Sequence, residues 1–340
     1  MKNNKTVKAR IKYLDIAKFI GIFCIYLGHF GIQAGYAFNF VFWFHVPLFF
    51  FLSGISENFS SNVDLKTYIV KCIKKIIFPF LIFAFLSIVV QTIYLNTYTE
   101  IIPSIIIILK GCIRNTFFAG SLWFLTCLFI VKIVFYVLKR LINNKIFVLL
   151  ICFLIYLFSE LIINPTPLAN PRLFFNIDSA AYYIIYYAIG YYSLNIIKKL
   201  FAWDNKLKIN ISIILGLLSG GYTILLFFGK NIFSYFNTIK YLSFMTNLFS
   251  PLIVIVFILL LSRLITNFDY LCNVGENTLY LCGSEYFIKL FVPICLELIG
   301  LEIVLSNPIT TYIYTLLLLI ICNKYLVPIE KNLFKKLHII

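Results

Sequence analysis

Charge is what this chain has least of. Only 12% of its 340 residues are Asp, Glu, Lys or Arg, 13 of them acidic, while 62% are hydrophobic and the mean hydropathy is +0.97. A soluble domain of that length cannot hide so much apolar surface, so lipid must be the solvent for most of the chain. Long polar inserts are also missing. Apolar stretches approaching the ~20 residues that cross a bilayer as helix recur from end to end, which predicts a single membrane domain over residues 1–340 with its core at about 10–325. No CxxC pair occurs among the nine cysteines, most of which sit inside apolar runs as small hydrophobes would; neither a disulfide framework nor a metal site is expected. No convincing small-residue cleavage site follows the first apolar run, which therefore reads as a retained helix rather than a signal peptide. Basic residues are plentiful enough to give a formal charge of +16, but they form no continuous block. Short clusters between hydrophobic segments are how orienting loops look, so the charge points to a lipid bilayer as partner and away from nucleic acid.

The apolar pattern predicts an all-α integral membrane protein, a bundle of ten transmembrane helices with both termini cytoplasmic. The expected spans are 13–34, 38–56, 76–95, 121–138, 146–163, 179–197, 209–229, 243–262, 278–296 and 309–323, each good to a few residues. Residues 324–340 read as a short basic cytoplasmic tail. Ile101–Leu109 is too short to cross and is interrupted by Pro103, so it reads as a re-entrant or interfacial piece. With the N-terminus inside, the cytoplasmic segments hold 21 of the 29 Lys and Arg, and the outer ones hold 5: Lys110, Arg114, Arg172, Lys230 and Lys240. That asymmetry is the one the positive-inside rule requires, and it suits a multi-pass cell-membrane protein with a cytoplasmic N-terminus. The outer loop 164–178, NPTPLANPRLFFNID, is too rich in Pro and Asn to be helical throughout. No inverted internal repeat is evident, which weighs against a transporter.

Ionisable groups inside a bilayer are costly, so each is a candidate for function, with pairing and snorkelling as the plainer explanations. The first helix carries Asp15, Lys18 and His29. Lys18 and His29 are eleven residues apart, close to three full turns, so they share one face at depths differing by roughly 16 Å. Asp15 and Lys18, three apart, are spaced to pair. His29 lies deep toward the outer end in IYLGHF, between Gly28 and Gly31, where its imidazole can take a proton from an alcohol attacking a thioester carbonyl. His45, in the second helix, is expected near the same outer end, with a structural hydrogen-bonding role as the simpler reading. Ser53 and Gly54 supply a small pair that permits close helix packing. Lys132 has no partner in its own helix and is expected to pair across helices. Glu285 and Lys289 have the i,i+4 spacing and order of an ion pair. Trp123 reads as a residue of the aromatic belt, and Arg172 and Asp178 as outer-loop groups within reach of a polar acceptor.

Five segments occur in a telling order: RIKYLDIAKFIGIFCIYLGH, FHVPLFFFLSG, KCIKKIIFP, LWFL and GENTLYL. In motif and order they resemble the acyltransferase 3 family of membrane O-acyltransferases, and the first two look most like the branch of fucose 4-O-acetylases and related sugar acetyltransferases. The resemblance runs from about residue 10 to 325 and implies a ten-helix domain that takes acetyl-CoA from the cytoplasm and acetylates a glycan hydroxyl, often on a cell-surface polysaccharide. It assigns the essential histidine to His29 and its basic companion to Lys18, with Asp15 beside it. It places Lys71, Lys74 and Lys75 with the CoA phosphates at the inner face; Ser53 is a further candidate for the donor site, and His45, Trp123, Arg172 and Glu285 are candidates for the surroundings of the acceptor or the histidine.

Two departures accompany the likeness. Lys18 stands where Arg is commoner, which removes bidentate hydrogen bonding. Glu285 stands where the late motif often ends in His, so any role of that His is changed or absent here. His29 is expected either as general base or as transient acyl acceptor. Two rivals stay open on the sequence: a flippase or transporter of a glycan or lipid-linked sugar, and a structural subunit of a glycan-assembly complex.

Overall fold

The computed structural model describes residues 11–59, 63–95, 101–111, 120–163, 173–239, 242–301, 303 and 305–337. These residues are helical, with no strands among them. In chain order the α-helices are α1 Lys12–Gly28, α2 Tyr36–Glu57, α3 Leu65–Cys72, α4 Phe78–Leu95, α5 Ile101–Lys110, α6 Trp123–Leu141, α7 Lys145–Phe158, α8 Ile177–Leu200 and α9 Lys206–Phe227. They continue with α10 Ser243–Leu264, α11 Asp269–Glu276, α12 Thr278–Gly283, α13 Glu285–Leu298 and α14 Pro308–Lys336. A π-turn, Ile73–Ile77, joins α3 to α4, and a second, Ser159–Ile163, extends α7.

Six helical stretches among the described residues are long and apolar enough to cross a membrane: Tyr36–Glu57, Leu65–Val90, Lys145–Ile163, Lys206–Phe227, Ser243–Leu264 and Pro308–Lys336. The other expected spans are helical but depart from a simple lipid-facing rod. Helix α1 has only 17 residues, and α6 carries Lys132, Lys139 and Arg140. Helix α8 holds six tyrosines, four of which, Tyr182, Tyr183, Tyr186 and Tyr187, are buried. A helix surrounded by protein needs no lipid-like face, so its polar hydroxyls are tolerated.

Helix α8 earns that central place by backbone contact with α2. A Cβ added at Gly54 would lie 2.0 Å from the Tyr187 carbonyl oxygen, and one added at Gly190 would lie 2.0 Å from that of Phe51. Glycine on each helix therefore lets the two backbones touch, the small-residue device of membrane helix pairs. Phe50 stacks on Tyr183 beside this contact, with centroids 4.6 Å apart. Packing of this kind replaces the hydrophobic drive that lipid removes.

Three boundaries differ from the sequence reading, each for a local reason. The first span ends at Gly28 rather than residue 34, because Gly31 adopts φ +64° and begins a separate 3-10 turn, Gly31–Ala34. The ninth span is broken at Ser284 (φ −93°, ψ 0°), which makes Glu285 the first residue of α13. The last helix does not end at residue 323: α14 continues to Lys336, with Val327, Glu330 and Phe334 buried at helical spacing and Phe334 edge-on to Phe83. The short apolar piece is observed as the ten-residue α5. Helix α3 starts where Asp64 accepts a hydrogen bond from the Thr67 amide at 3.1 Å, and Thr67 holds that carboxyl below the usual carboxylate range.

Candidate active site

His29 is the residue that ends α1, its amide donating to the Ile25 carbonyl at 3.2 Å. Going back along α1 at spacings of four, four and three gives Ile25, Gly21 and Lys18, one stripe of the helix. The break at Ser284 places Glu285 opposite the end of that stripe. Its Oε1 lies 2.5 Å from His29 Nδ1. A carboxylate in this geometry accepts, so Nδ1 carries a proton and Nε2 is the ring nitrogen left available to a reacting group. The His29 side chain is 31% exposed while that of Glu285 is 1% exposed, so the imidazole is reachable and its carboxylate partner is not.

The Glu285 carboxylate is held from three sides. Lys289 Nζ lies 3.1 Å from Oε1 and also donates to the Tyr26 carbonyl at 2.8 Å. Ser121 Oγ lies 2.9 Å from Oε2 and 2.8 Å from the Cys282 carbonyl, between which its single proton is shared. A buried carboxylate with this many partners is fixed in direction, and it fixes the imidazole in turn. Such an arrangement prepares a nitrogen base with its second nitrogen oriented by an acid, the pattern of acyl-transfer sites.

Two cavities lead toward this dyad. The outer one, about 430 Å³, is lined by Lys18, Lys71, Lys75 and Lys132 together with Ser53, Ser56, Glu57 and Tyr68. The inner one, about 210 Å³, runs past Phe49, Phe124 and Leu279 to Ile25 and Cys282. Lys18, Ser53, Lys75, Ile76 and Leu128 line both, so the two are one passage with a basic mouth and an apolar inner end. That end stops one turn before His29 along α1 and three residues before Glu285. At the mouth Lys132 pairs with Glu57 across helices, and Tyr187 donates to the same carboxylate at 3.0 Å. Tyr68, stacked on Tyr136 at 4.0 Å, forms an aromatic side of the mouth.

The structure brings Lys18, Ser53, Lys71 and Lys75 to this passage and His29 and Glu285 to its far side. Asp15 is buried and lies 3.4 Å from Lys18 Nζ, the pairing its spacing suggests. Lys289 pairs with Glu285 and Lys132 pairs across helices, as the sequence suggests. Lys74 is exposed and does not line the passage: Lys71 and Lys75 share a face through the π-turn, and Lys74 does not. His45 sits well inside α2 and is buried, its Nδ1 donating to the Val41 carbonyl at 2.6 Å, a hydrogen bond of the structural kind that is the simpler reading of the sequence. Trp123 begins α6 as expected, yet its side chain is buried beside Tyr183 rather than placed in an aromatic belt. Asp178 is buried in the first turn of α8 and is no solvated loop residue. Arg172 lies outside the described residues.

Glu57 and Ser121 escaped sequence reasoning. Glu57 carries a usable signal, a lone acid closing the apolar run FFFLSGISE and matching Lys132, which has no partner in its own helix. Ser121 carries none, because its role depends on a contact 164 positions away along the chain.

A family model described as an acyltransferase domain matches residues 11–322. The match takes in α1 through the first half of α14 and both members of the His29–Glu285 pair. No curated protein and no solved structure matches the chain.

Proposed function

The chain belongs to the acyltransferase 3 family of membrane acyltransferases, and on that premise we propose that it transfers an acetyl group from acetyl-CoA to a sugar hydroxyl of a cell-surface glycan or its lipid-linked precursor. The observation that carries the reading is a passage that runs from a lysine-rich mouth to within one helical turn of His29, whose imidazole is oriented by Glu285. CoA phosphates suit Lys71, Lys75 and Lys18 at the mouth, and the pantetheine arm suits the apolar inner cavity. The thioester then arrives beside His29. Its Nε2 takes the proton of the sugar hydroxyl as that oxygen attacks the carbonyl carbon. The new C–O bond forms, the C–S bond breaks, and the imidazolium returns the proton to the departing CoA thiolate. Glu285 holds the ring and balances its transient charge.

The bilayer setting follows the same reading. Ten crossings, with α1, α6, α8 and the α12–α13 pair added to the six long apolar helices, put both termini in the cytoplasm of a plasma-membrane protein. CoA enters from the cytoplasmic face, and the acceptor meets His29 at the outer end of α1.

The test uses purified full-length protein reconstituted in liposomes with radiolabelled acetyl-CoA and glycans extracted from cells lacking the protein. Label is expected in alkali-labile ester on the glycan with the parent protein and not with His29→Ala. Equal labelling by both removes the catalytic assignment, and glycan translocation without ester formation favours a flippase instead.

A further inference from the structure

We propose that the hydroxyls of Ser53 and Thr278 are the points at which the inner cavity hydrogen-bonds the amides of a pantetheine arm, so that these two residues hold the carrier by its arm and not by its nucleotide. The inference rests on the acyl-CoA reading above and adds the residues that recognise the arm.

A hydroxyl on a membrane helix has a ready partner in the carbonyl one turn back. Ser56 donates in this way to Leu52 at 2.8 Å, Ser87 to Phe83 at 2.8 Å, Ser284 to Tyr280 at 2.7 Å and Thr315 to Thr311 at 2.7 Å. Ser53 and Thr278 depart from that pattern: among the described residues neither hydroxyl has a hydrogen-bond partner. Both residues are half-buried, and both line the inner cavity. Ser53 belongs to α2 and Thr278 to α12, helices that each pack on α1, so the two come to the passage from different walls.

Around them the inner cavity is largely hydrocarbon, with Phe49, Phe124, Leu125 and Leu279 in its lining, while its two lysines, Lys18 and Lys75, stand nearest the mouth. A pantetheine arm matches that distribution, being a slender chain of methylenes interrupted by two amides. An amide drawn into an apolar passage must exchange its water for another partner. A hydroxyl both donates and accepts, so it serves either the N–H or the C=O of an amide. Ser53 lines both cavities and stands where the mouth narrows, whereas Thr278 lines only the inner one and lies one turn before Cys282 at its end. That order gives Ser53 the amide nearer the phosphates and Thr278 the amide nearer the thiol.

The experiment measures displacement of tritiated CoA from the purified full chain in nanodiscs by unlabelled CoA and by 3′-phospho-ADP, which keeps the phosphates and lacks the arm. The readout is the ratio of the two affinities, which is independent of the fraction of protein folded. Thr278→Val, which keeps the shape and removes the hydroxyl, is expected to weaken CoA by roughly 3–10-fold, the loss of one neutral hydrogen bond, and to leave 3′-phospho-ADP within about twofold. Ser53→Ala acts in the same direction by a similar factor. Thr278→Ser restores a hydroxyl and with it a ratio near the parent's. An unmoved ratio in either Thr278→Val or Ser53→Ala, or a loss shared equally by the two ligands, overturns the proposal while the donor reading stands. No CoA binding to the parent protein overturns both.

Discussion

Replacing Glu285 with Gln isolates the charge of the carboxylate from its shape. The side-chain amide keeps an oxygen for His29 Nδ1 and Lys289 Nζ, and its NH2 can face Ser121 Oγ, which accepts in place of donating. Every neighbour therefore retains a partner, and the break at Ser284 is untouched. What is lost is charge. A charge-assisted hydrogen bond is about twice as strong as a neutral one, so weakening the bond to His29 costs about 1–1.5 kcal/mol. The imidazolium formed during transfer also loses its counter-charge while Lys289 stays close, a Coulomb loss of up to about 4 kcal/mol at an effective dielectric of 20 before relaxation. Together these predict a kcat lower by roughly 10²–10³-fold, at about 1.4 kcal/mol per tenfold. The KM for acetyl-CoA should stay within about threefold, because Glu285 lines neither cavity. Initial rates of glycan ester formation at varied acetyl-CoA supply both numbers, and a thermal unfolding midpoint near the parent's certifies the fold. A kcat within about threefold of the parent's would refute the assignment of Glu285 as the group that orients His29. Glu285→Ala makes a poorer test, since leaving Lys289 buried without its carboxylate costs about 3–5 kcal/mol by itself.

Lys75→Ala should raise the KM for acetyl-CoA several-fold, by roughly 3–10 times, and more than Lys74→Ala does, since only Lys75 lines the passage; equal effects in steady-state kinetics would displace the phosphates from this mouth. Lys132→Met strands Glu57 in a buried position and should destabilise the protein by about 3–5 kcal/mol, whereas the double variant Glu57→Leu/Lys132→Met should recover most of that loss. Thermal unfolding of the three proteins decides it, and a double variant no more stable than Lys132→Met contradicts the pairing. Gly190→Ala should abolish the monodisperse peak in size-exclusion chromatography, because its Cβ would occupy the space of the Phe51 carbonyl 2.0 Å away; a normal peak would mean that α2 and α8 do not touch there.

The helices and the histidine were legible because they are written in short-range patterns. Apolar runs mark where helices lie, and eleven-residue spacing puts Lys18 and His29 on the stripe that the structure shows facing the passage at Lys18 and Ile25. Lys74 lies off the passage although its neighbours Lys71 and Lys75 line it, a distinction that a resemblance in motif does not carry, and Trp123 packs inward because hydropathy does not say which face of a helix meets protein. Helix α8 shows the same limit from the other side: its tyrosines lower its hydropathy, yet four of them are buried against protein.

Glu285 is the most instructive of these residues. Read along the chain it is a departure, an acid where the motif often has a histidine, and its i,i+4 partner Lys289 offers an ordinary structural ion pair as explanation. In three dimensions it lies 256 positions away from the histidine that it contacts at 2.5 Å, a distance no local pattern encodes. A buried carboxylate is costly, and one ion pair with Lys289 would not by itself repay its desolvation. The added bonds to His29 and Ser121 do what the pair alone does not. A charge that is expensive for the fold, fully enclosed and aimed at a half-exposed imidazole is better explained by what it does to that imidazole than by what it adds to stability.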